Sequence, residues 1–121
     1  LISYFATFCP VCANHVPDVG DQFYDTYKDE GLYVVAIDAD SDDHDNPAAV
    51  ADFVDNVGVT FPVKLEESTV TPTYATIEGI HDGANPFPVD ILVDKNGIIR
   101  YIAREYDPLE MHAKVQELLA E

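Results

Sequence analysis

A chain of 121 residues with 47% hydrophobic side chains is long enough to bury one sizeable core and too short for two, so residues 1–121 are expected to form a single domain. Its 23 acidic residues against 6 basic ones leave a net charge of −17, which argues against nucleic acid and anionic membrane surfaces as partners, because both repel such a chain. No segment approaches the roughly 18 apolar residues that a membrane helix needs, and no basic-then-apolar leader is present.

The chain opens inside an apolar strand, Leu1-Ile2-Ser3-Tyr4-Phe5, with no turn or polar lead-in, so the N-terminal part of the full-length protein, with any signal or anchor, is expected upstream of Leu1. The strand runs through Ala6-Thr7-Phe8 into Cys9-Pro10-Val11-Cys12, where a helix is expected to begin. Two cysteines so spaced on a first helical turn bring both sulfurs within reach of one disulfide, with Cys9 projecting from the helix end. Unpaired backbone N–H groups and the positive end of the helix dipole stabilise a thiolate at that place, which makes Cys9 the candidate attacking thiol. Cys12, one turn deeper, is the candidate resolving thiol. Pro10 fits the first turn, where its missing N–H removes no intrahelical bond.

A structural disulfide, half of a zinc site and two ordinary buried cysteines are the alternatives. A zinc site would want four Cys or His ligands, and the chain offers only the scattered His15, His44, His81 and His112 besides this pair. A purely structural bridge over so short a loop would constrain the unfolded chain little. Cys-x-x-Cys beside a βαβ pattern reads as a redox motif, with no metal and no cofactor required.

Beyond Cys12 the stripe Val16, Val19, Phe23, Tyr27 predicts a helix facing a sheet, bent at Pro17 and ended by Gly31. Leu32 to Ile37 is a continuous apolar run of the kind that forms a buried parallel strand, and completes the βαβ unit. The acidic run from Asp38 to Asn46 imitates a calcium loop but has Asp43 where glycine is needed at its sixth position and Ala49 where glutamate is needed at its twelfth, so it reads as a solvated loop. Pro47 opens a helix through Val50, Phe53, Val54 and Val57, and Gly58 stops it. Phe61 to Leu65 reads as a short edge strand. An irregular stretch from Glu66 to Pro88 follows, long enough to suggest a functional loop. Val89 to Val93, the turn Asp94-Lys95-Asn96-Gly97 and Ile98 to Ile102 predict a β-hairpin. Asp107-Pro108 caps a final amphipathic helix carrying Leu109, Val115, Leu118 and Leu119.

This order of elements resembles the thioredoxin fold, an α/β architecture with a central mixed β-sheet flanked by helices. More narrowly, Phe5-Ala6-Thr7-Phe8-Cys9-Pro10-Val11-Cys12, with Pro17 eight residues past the first Cys, resembles the redoxin and TlpA/ResA-like branch of extracytoplasmic thiol-disulfide oxidoreductases. The resemblance implies exchange of disulfides with a protein disulfide or dithiol substrate, as a monomer facing an extracytoplasmic compartment. It implies that Pro88 is a cis-proline against the cysteine pair, that Phe87 pairs with an extended substrate segment, and that Phe8, with Pro10 and Val11, borders the substrate. Two departures stand out. Ser3 occupies the place where thioredoxin has a buried Asp, and His15 the place where TlpA/ResA-like proteins commonly have Glu. Residues three apart share a helix face, so His15 should lie near Cys12 and is the candidate proton acceptor for it. The stretch between Phe61 and Pro88 is longer than the family's usual one, which puts His81, Asp82 and Phe87 beside the expected substrate surface.

Two other functions share this fold. A peroxiredoxin-type peroxidase needs Thr or Ser three residues before its attacking Cys, and that residue is Ala6. A copper-delivery protein of the Sco kind could use the thiolates with His81, but there three residues usually separate the cysteines and here only two do.

Overall fold

The structure is a computed structural model and describes residues 1–39, 43, 46–65, 87–103 and 105–121. Among the described residues five strands make one mixed sheet: β1 Ile2–Phe5, β2 Val35–Asp38, β3 Val63–Leu65, β4 Val89–Val93 and β5 Ile99–Ala103, in the order β3-β2-β1-β4-β5. The side β1-β2-β3 is parallel, and β4 joins β1 antiparallel and carries β5 as a hairpin. Short β3 lies at the edge, as its sequence suggests, and the motif strand β1 lies at the centre.

Side-chain alternation along the strands divides the core into two layers. Tyr4, Val89 and Ile91 pack on one face with Ile37 and Ile102. Phe5, Ala36, Leu92 and Ala103 belong to the other face, with the cysteines, Val16, Val19, Phe23, Met111 and Val115. Ser3 shares a register row with Ala36 on one side and Asp90 on the other. The central strand is therefore buried on both faces, and its Ser3 shares the face of Phe5, toward the layer that holds the cysteine pair.

The first helical segment is less regular than its apolar stripe suggests. Helix α1 spans Cys12–Val19, a π-helical turn follows over Gly20–Tyr24, then α2 at Asp25–Tyr27 and a 3-10 turn at Lys28–Glu30. The expected stripe Val16, Val19, Phe23 and Tyr27 is buried. Helix α1 starts at Cys12, so Cys9, Pro10 and Val11 form the turn before it rather than its first helical turn. Pro17, where a bend is expected, lies inside α1, and the departure from α-helix comes instead at Gly20, whose N–H is shared between the carbonyls of Val16 and Pro17. Gly20 also allows a close approach: a Cβ there would lie 3.1 Å from the Phe61 ring. Gly31, at φ 107°, ends the segment in the left-handed conformation that glycine adopts without steric cost.

Strand β2 begins only at Val35, three residues later than the apolar run. Helix α3, Pro47–Val57, is capped by Asn46, which accepts the Ala49 N–H at 3.3 Å, and Gly58 closes it at φ 75°. Its Phe53 stacks on Phe5, ring centroids 5.2 Å apart. In the hairpin turn, Asp94 accepts N–H bonds from Asn96 and Ile98. Helix α4, Pro108–Leu119, has Asp107 as its cap and buries Met111 and Val115. Leu109, expected on its apolar face, is 81% exposed, because Met111 and Val115, four apart, define that face instead. Among the described residues no helix is long and apolar enough to cross a membrane.

Candidate active site

Cys9 and Cys12 form a disulfide, their Cα atoms 5.3 Å apart. The Cys9 N–H donates to the Ala6 carbonyl, and the Cys12 N–H faces both the Cys9 carbonyl at 3.1 Å and Cys9 Sγ at 3.2 Å. Among the described residues no side chain caps α1, and its first amide dipoles are directed at the cysteine turn. An N–H aimed at Sγ from the positive end of a helix favours charge on Cys9 once the bridge is opened. The expected projection of Cys9 is not present in this oxidised form: Cys9 is 1% and Cys12 0% exposed. Both sulfurs are enclosed because the turn lies flat against the core, and the exposed groups are its neighbours, Phe8 at 55% and Val11 at 62%, with Pro10.

The Phe87–Pro88 peptide is cis, as the resemblance implies, and the Phe87 carbonyl oxygen lies 3.7 Å from Cys9 Sγ. The Phe8 and Phe87 rings meet edge to face at 6.4 Å. Phe8 and Cys9 thus converge with Phe87 and Pro88 at one end of the sheet, although 78 residues separate Cys9 from Phe87. That convergence follows from β4 pairing directly with β1.

His15 is brought into the same region but not to solvent, being 5% exposed. Its Nε2 lies 2.8 Å from Oδ2 and 3.0 Å from Oδ1 of Asp90, itself 2% exposed. The Tyr106 ring stands edge-on to the imidazole at 4.4 Å and 89°. Tyr106 in turn donates its hydroxyl to Asp18 Oδ2 at 2.6 Å. Burial, then the Asp18 hydrogen bond and charge, push the Tyr106 phenol well above its ordinary range, so it remains a donor across the working pH range. Val11, Asn14, His15, Asp18, Pro88, Glu105 and Tyr106 line a cleft of about 600 Å³ beside the cysteines.

Asp90 and Tyr106 are absent from the site residues that the sequence suggests. The signal for Asp90 is a lone carboxylate inside the apolar run Val89-Asp90-Ile91-Leu92-Val93, since a buried Asp requires a partner. Asp90 sits directly across from Ser3 in the β1–β4 register, so the carboxylate missing at position 3 stands one strand away on the same face. The acidic run holds a second surprise. Asp43, expected in a solvated loop, is 7% exposed and accepts Thr7 Oγ1 at 2.6 and 2.7 Å and Thr7 N–H at 2.9 Å. It anchors the turn leading into Cys9, and burial with three short contacts explains why it is not solvated.

His81 and Asp82, expected near the substrate surface, lie outside the described residues. Among the described residues no group of three or more His, Cys, Asp or Glu side chains is arranged to hold a metal ion.

The family described as Redoxin matches residues 1–119 of the chain. Thiol-disulfide oxidoreductase ResA of Bacillus thuringiensis (strain Al Hakam) is 31% identical over 97 residues, covering 79% of this chain and 49% of that protein. ResA of a Bacillus cereus strain is 26% identical over 119 residues, 97% of this chain and 61% of that protein. The chain therefore spans about half to three fifths of the length of these relatives. Among solved structures, a thiol-disulfide isomerase from Corynebacterium glutamicum superposes with a TM-score of 0.77 at 25% identity, covering 99% of this chain and 79% of that one. A thioredoxin-like protein from Porphyromonas gingivalis gives a TM-score of 0.70 at 27% identity, covering 99% and 74%. With a thioredoxin-like sheet, a cysteine pair just past the end of its central strand and a family match over nearly every residue, the chain belongs to the redoxin family, beside the ResA-type thiol-disulfide oxidoreductases.

Proposed function

We propose that the protein exchanges disulfides with a protein partner through Cys9 and Cys12, as a reductant in an extracytoplasmic compartment. The observation that carries the reading is the Cys9–Cys12 bridge set against the Phe87–Pro88 segment under an exposed apolar rim of Phe8, Pro10 and Val11. The rim suits a protein surface better than a small charged disulfide. The direction of electron flow and the compartment follow the resemblance to extracytoplasmic oxidoreductases.

In the reductive direction the Cys9 thiolate attacks one sulfur of the partner disulfide, forming a mixed disulfide and releasing the first partner thiol after it takes a proton. The Cys12 thiol then loses its proton, attacks Cys9 Sγ and releases the second partner sulfur as a thiolate. Two electrons pass to the partner, and the Cys9–Cys12 bridge closes. The Phe87 backbone pairs with the extended partner segment, Pro88 shapes that segment's seat, and His15 accepts the Cys12 proton.

The test is direct. Reduced protein should reduce insulin, its Cys12→Ser variant should accumulate a mixed disulfide through Cys9, and Cys9 should be alkylated before Cys12 at neutral pH. A potential near about −270 mV would agree with a reductant, and one near about −120 mV would overturn that direction. Insulin reduction that survives loss of both cysteines would overturn the whole reading.

A further inference from the structure

The contact between His15 and Asp90 has a consequence for which nitrogen of the imidazole can act as a base. One ring nitrogen, Nε2, meets both oxygens of a buried carboxylate, at 2.8 and 3.0 Å. An ionised carboxylate only accepts hydrogen bonds, so Nε2 carries the hydrogen, and in the neutral imidazole the lone pair is left on Nδ1. Nδ1 is bonded to Cγ, and so is nearer the helix backbone along the side chain than Nε2, which reaches Asp90 on β4. Side chains of a helix lean toward its N-terminus, so His15 leans toward the turn that carries Cys12. Tyr106 packs edge-on against the ring, and its bond to Asp18 fixes it there. The ring is held in plane by one contact and in tautomer by another.

We infer that Asp90 is a positioning residue for the resolving step, holding His15 in the Nε2–H tautomer so that Nδ1 takes the proton from the Cys12 thiol. This rests on the reading of His15 as the base. The step balances as a transfer within the site: Cys12 becomes a thiolate, the imidazole becomes an imidazolium, and Asp90 keeps its charge. The site gains no net charge as the nucleophile forms, a useful property where burial penalises each added charge. Among the described residues, other titratable groups act on Asp90 or line the cleft with His15. They are the Leu1 ammonium before β1, Tyr101 on β5, Asp18 on α1, and Glu105 and Tyr106 in the segment leading into α4. None of these contacts Nε2 in place of Asp90.

Ring nitrogen NMR of protein labelled with 15N-histidine tests the tautomer without any substitution. The expected spectrum of neutral His15 has a protonated Nε2 and an unprotonated Nδ1, and a protonated Nδ1 would overturn the inference. Kinetics test the role. Asp90→Asn presents an amide that donates as well as accepts, so the tautomer is no longer imposed. Decay of a preformed mixed disulfide between Cys9 and a peptide thiol should slow at least tenfold, with the rate of Cys9 alkylation in the reduced protein unchanged within twofold. Adding Asp90→Asn to His15→Gln should slow decay no further, and Asp90→Glu should recover part of the rate. Equal slowing in the His15→Gln background would mean that Asp90 acts independently of His15, and overturns the role. A slow His15→Gln with a wild-type rate in Asp90→Asn overturns the positioning role alone. A wild-type rate in His15→Gln removes the base reading beneath it.

Discussion

Replacing Thr7 with Val removes the hydroxyl that bridges both oxygens of the buried Asp43 and keeps the shape of the side chain. The hydroxyl lies at 2.6 and 2.7 Å, and only the Thr7 backbone N–H, at 2.9 Å, is left to the carboxylate from this residue. A hydrogen bond to a charged group contributes about 1.5 to 3 kcal/mol, and leaving a buried acceptor short of a donor costs toward the upper part of that range. Thr7→Val is therefore expected to lose about 2 kcal/mol. For a domain of this size that is a fall in Tm on the order of 5 to 10 °C. Thr7→Ser, which keeps the hydroxyl, should lose less than about half as much. Asp43 also anchors the turn into Cys9, so the loss should quicken reduction of the Cys9–Cys12 bridge by a small thiol such as dithiothreitol. Thermal unfolding followed by circular dichroism, in the oxidised and the reduced protein, measures the first effect, and stopped-flow reduction the second. A Thr7→Val protein within about 0.5 kcal/mol of the parent would refute the anchoring argument, since ordinary surface substitutions fall in that range.

Asp94 in the hairpin turn is held below its ordinary value of 3.8, first by the Ile98 N–H and then by the Asn96 N–H and Arg100. A depressed carboxylate stabilises the fold fully above its unfolded value and loses that stabilisation as pH falls through the lower folded value. Asp94→Asn should thus be less stable than the parent at pH 7, with the gap closing in strong acid; an equal gap at both pH values would contradict the assignment. Ser3 Oγ is wholly buried with no hydrogen-bond partner among the described residues, so Ser3→Ala should raise stability by about 1 kcal/mol, read from the urea midpoint at constant slope. A clear loss of stability would show that the hydroxyl is bonded in solution. Phe8→Ser, at an exposed rim position, should lower kcat/KM for a protein disulfide roughly tenfold and leave reduction of oxidised glutathione within about twofold, in keeping with a partner-contact residue. Equal losses for both substrates would move Phe8 from partner contact to support of the disulfide itself.

Much of this protein was legible in its sequence because it depends on neighbours along the chain. Two residues between Cys9 and Cys12 suffice for a bridge, the period of Val16, Val19, Phe23 and Tyr27 suffices for a buried helical face, and Asp107-Pro108 and Pro47 mark two helix starts without reference to anything distant. Where the local signal was only apolar, its limits moved: the run from Leu32 pairs as a strand from Val35 alone, and Leu109 turned to solvent because the packing of Met111 and Val115 chose the face. The polar contacts of the site were not local at all. Thr7 meets Asp43 across 36 residues, and His15 meets Asp90 across 75. No periodicity in either segment encodes those pairs: a lone Asp in an apolar run signals that it needs a partner, but not which residue supplies one. Tertiary structure decided them: the register that sets Asp90 beside Ser3, and the packing of α1 over that row, bring one carboxylate under one imidazole, and burial then makes the contact obligatory.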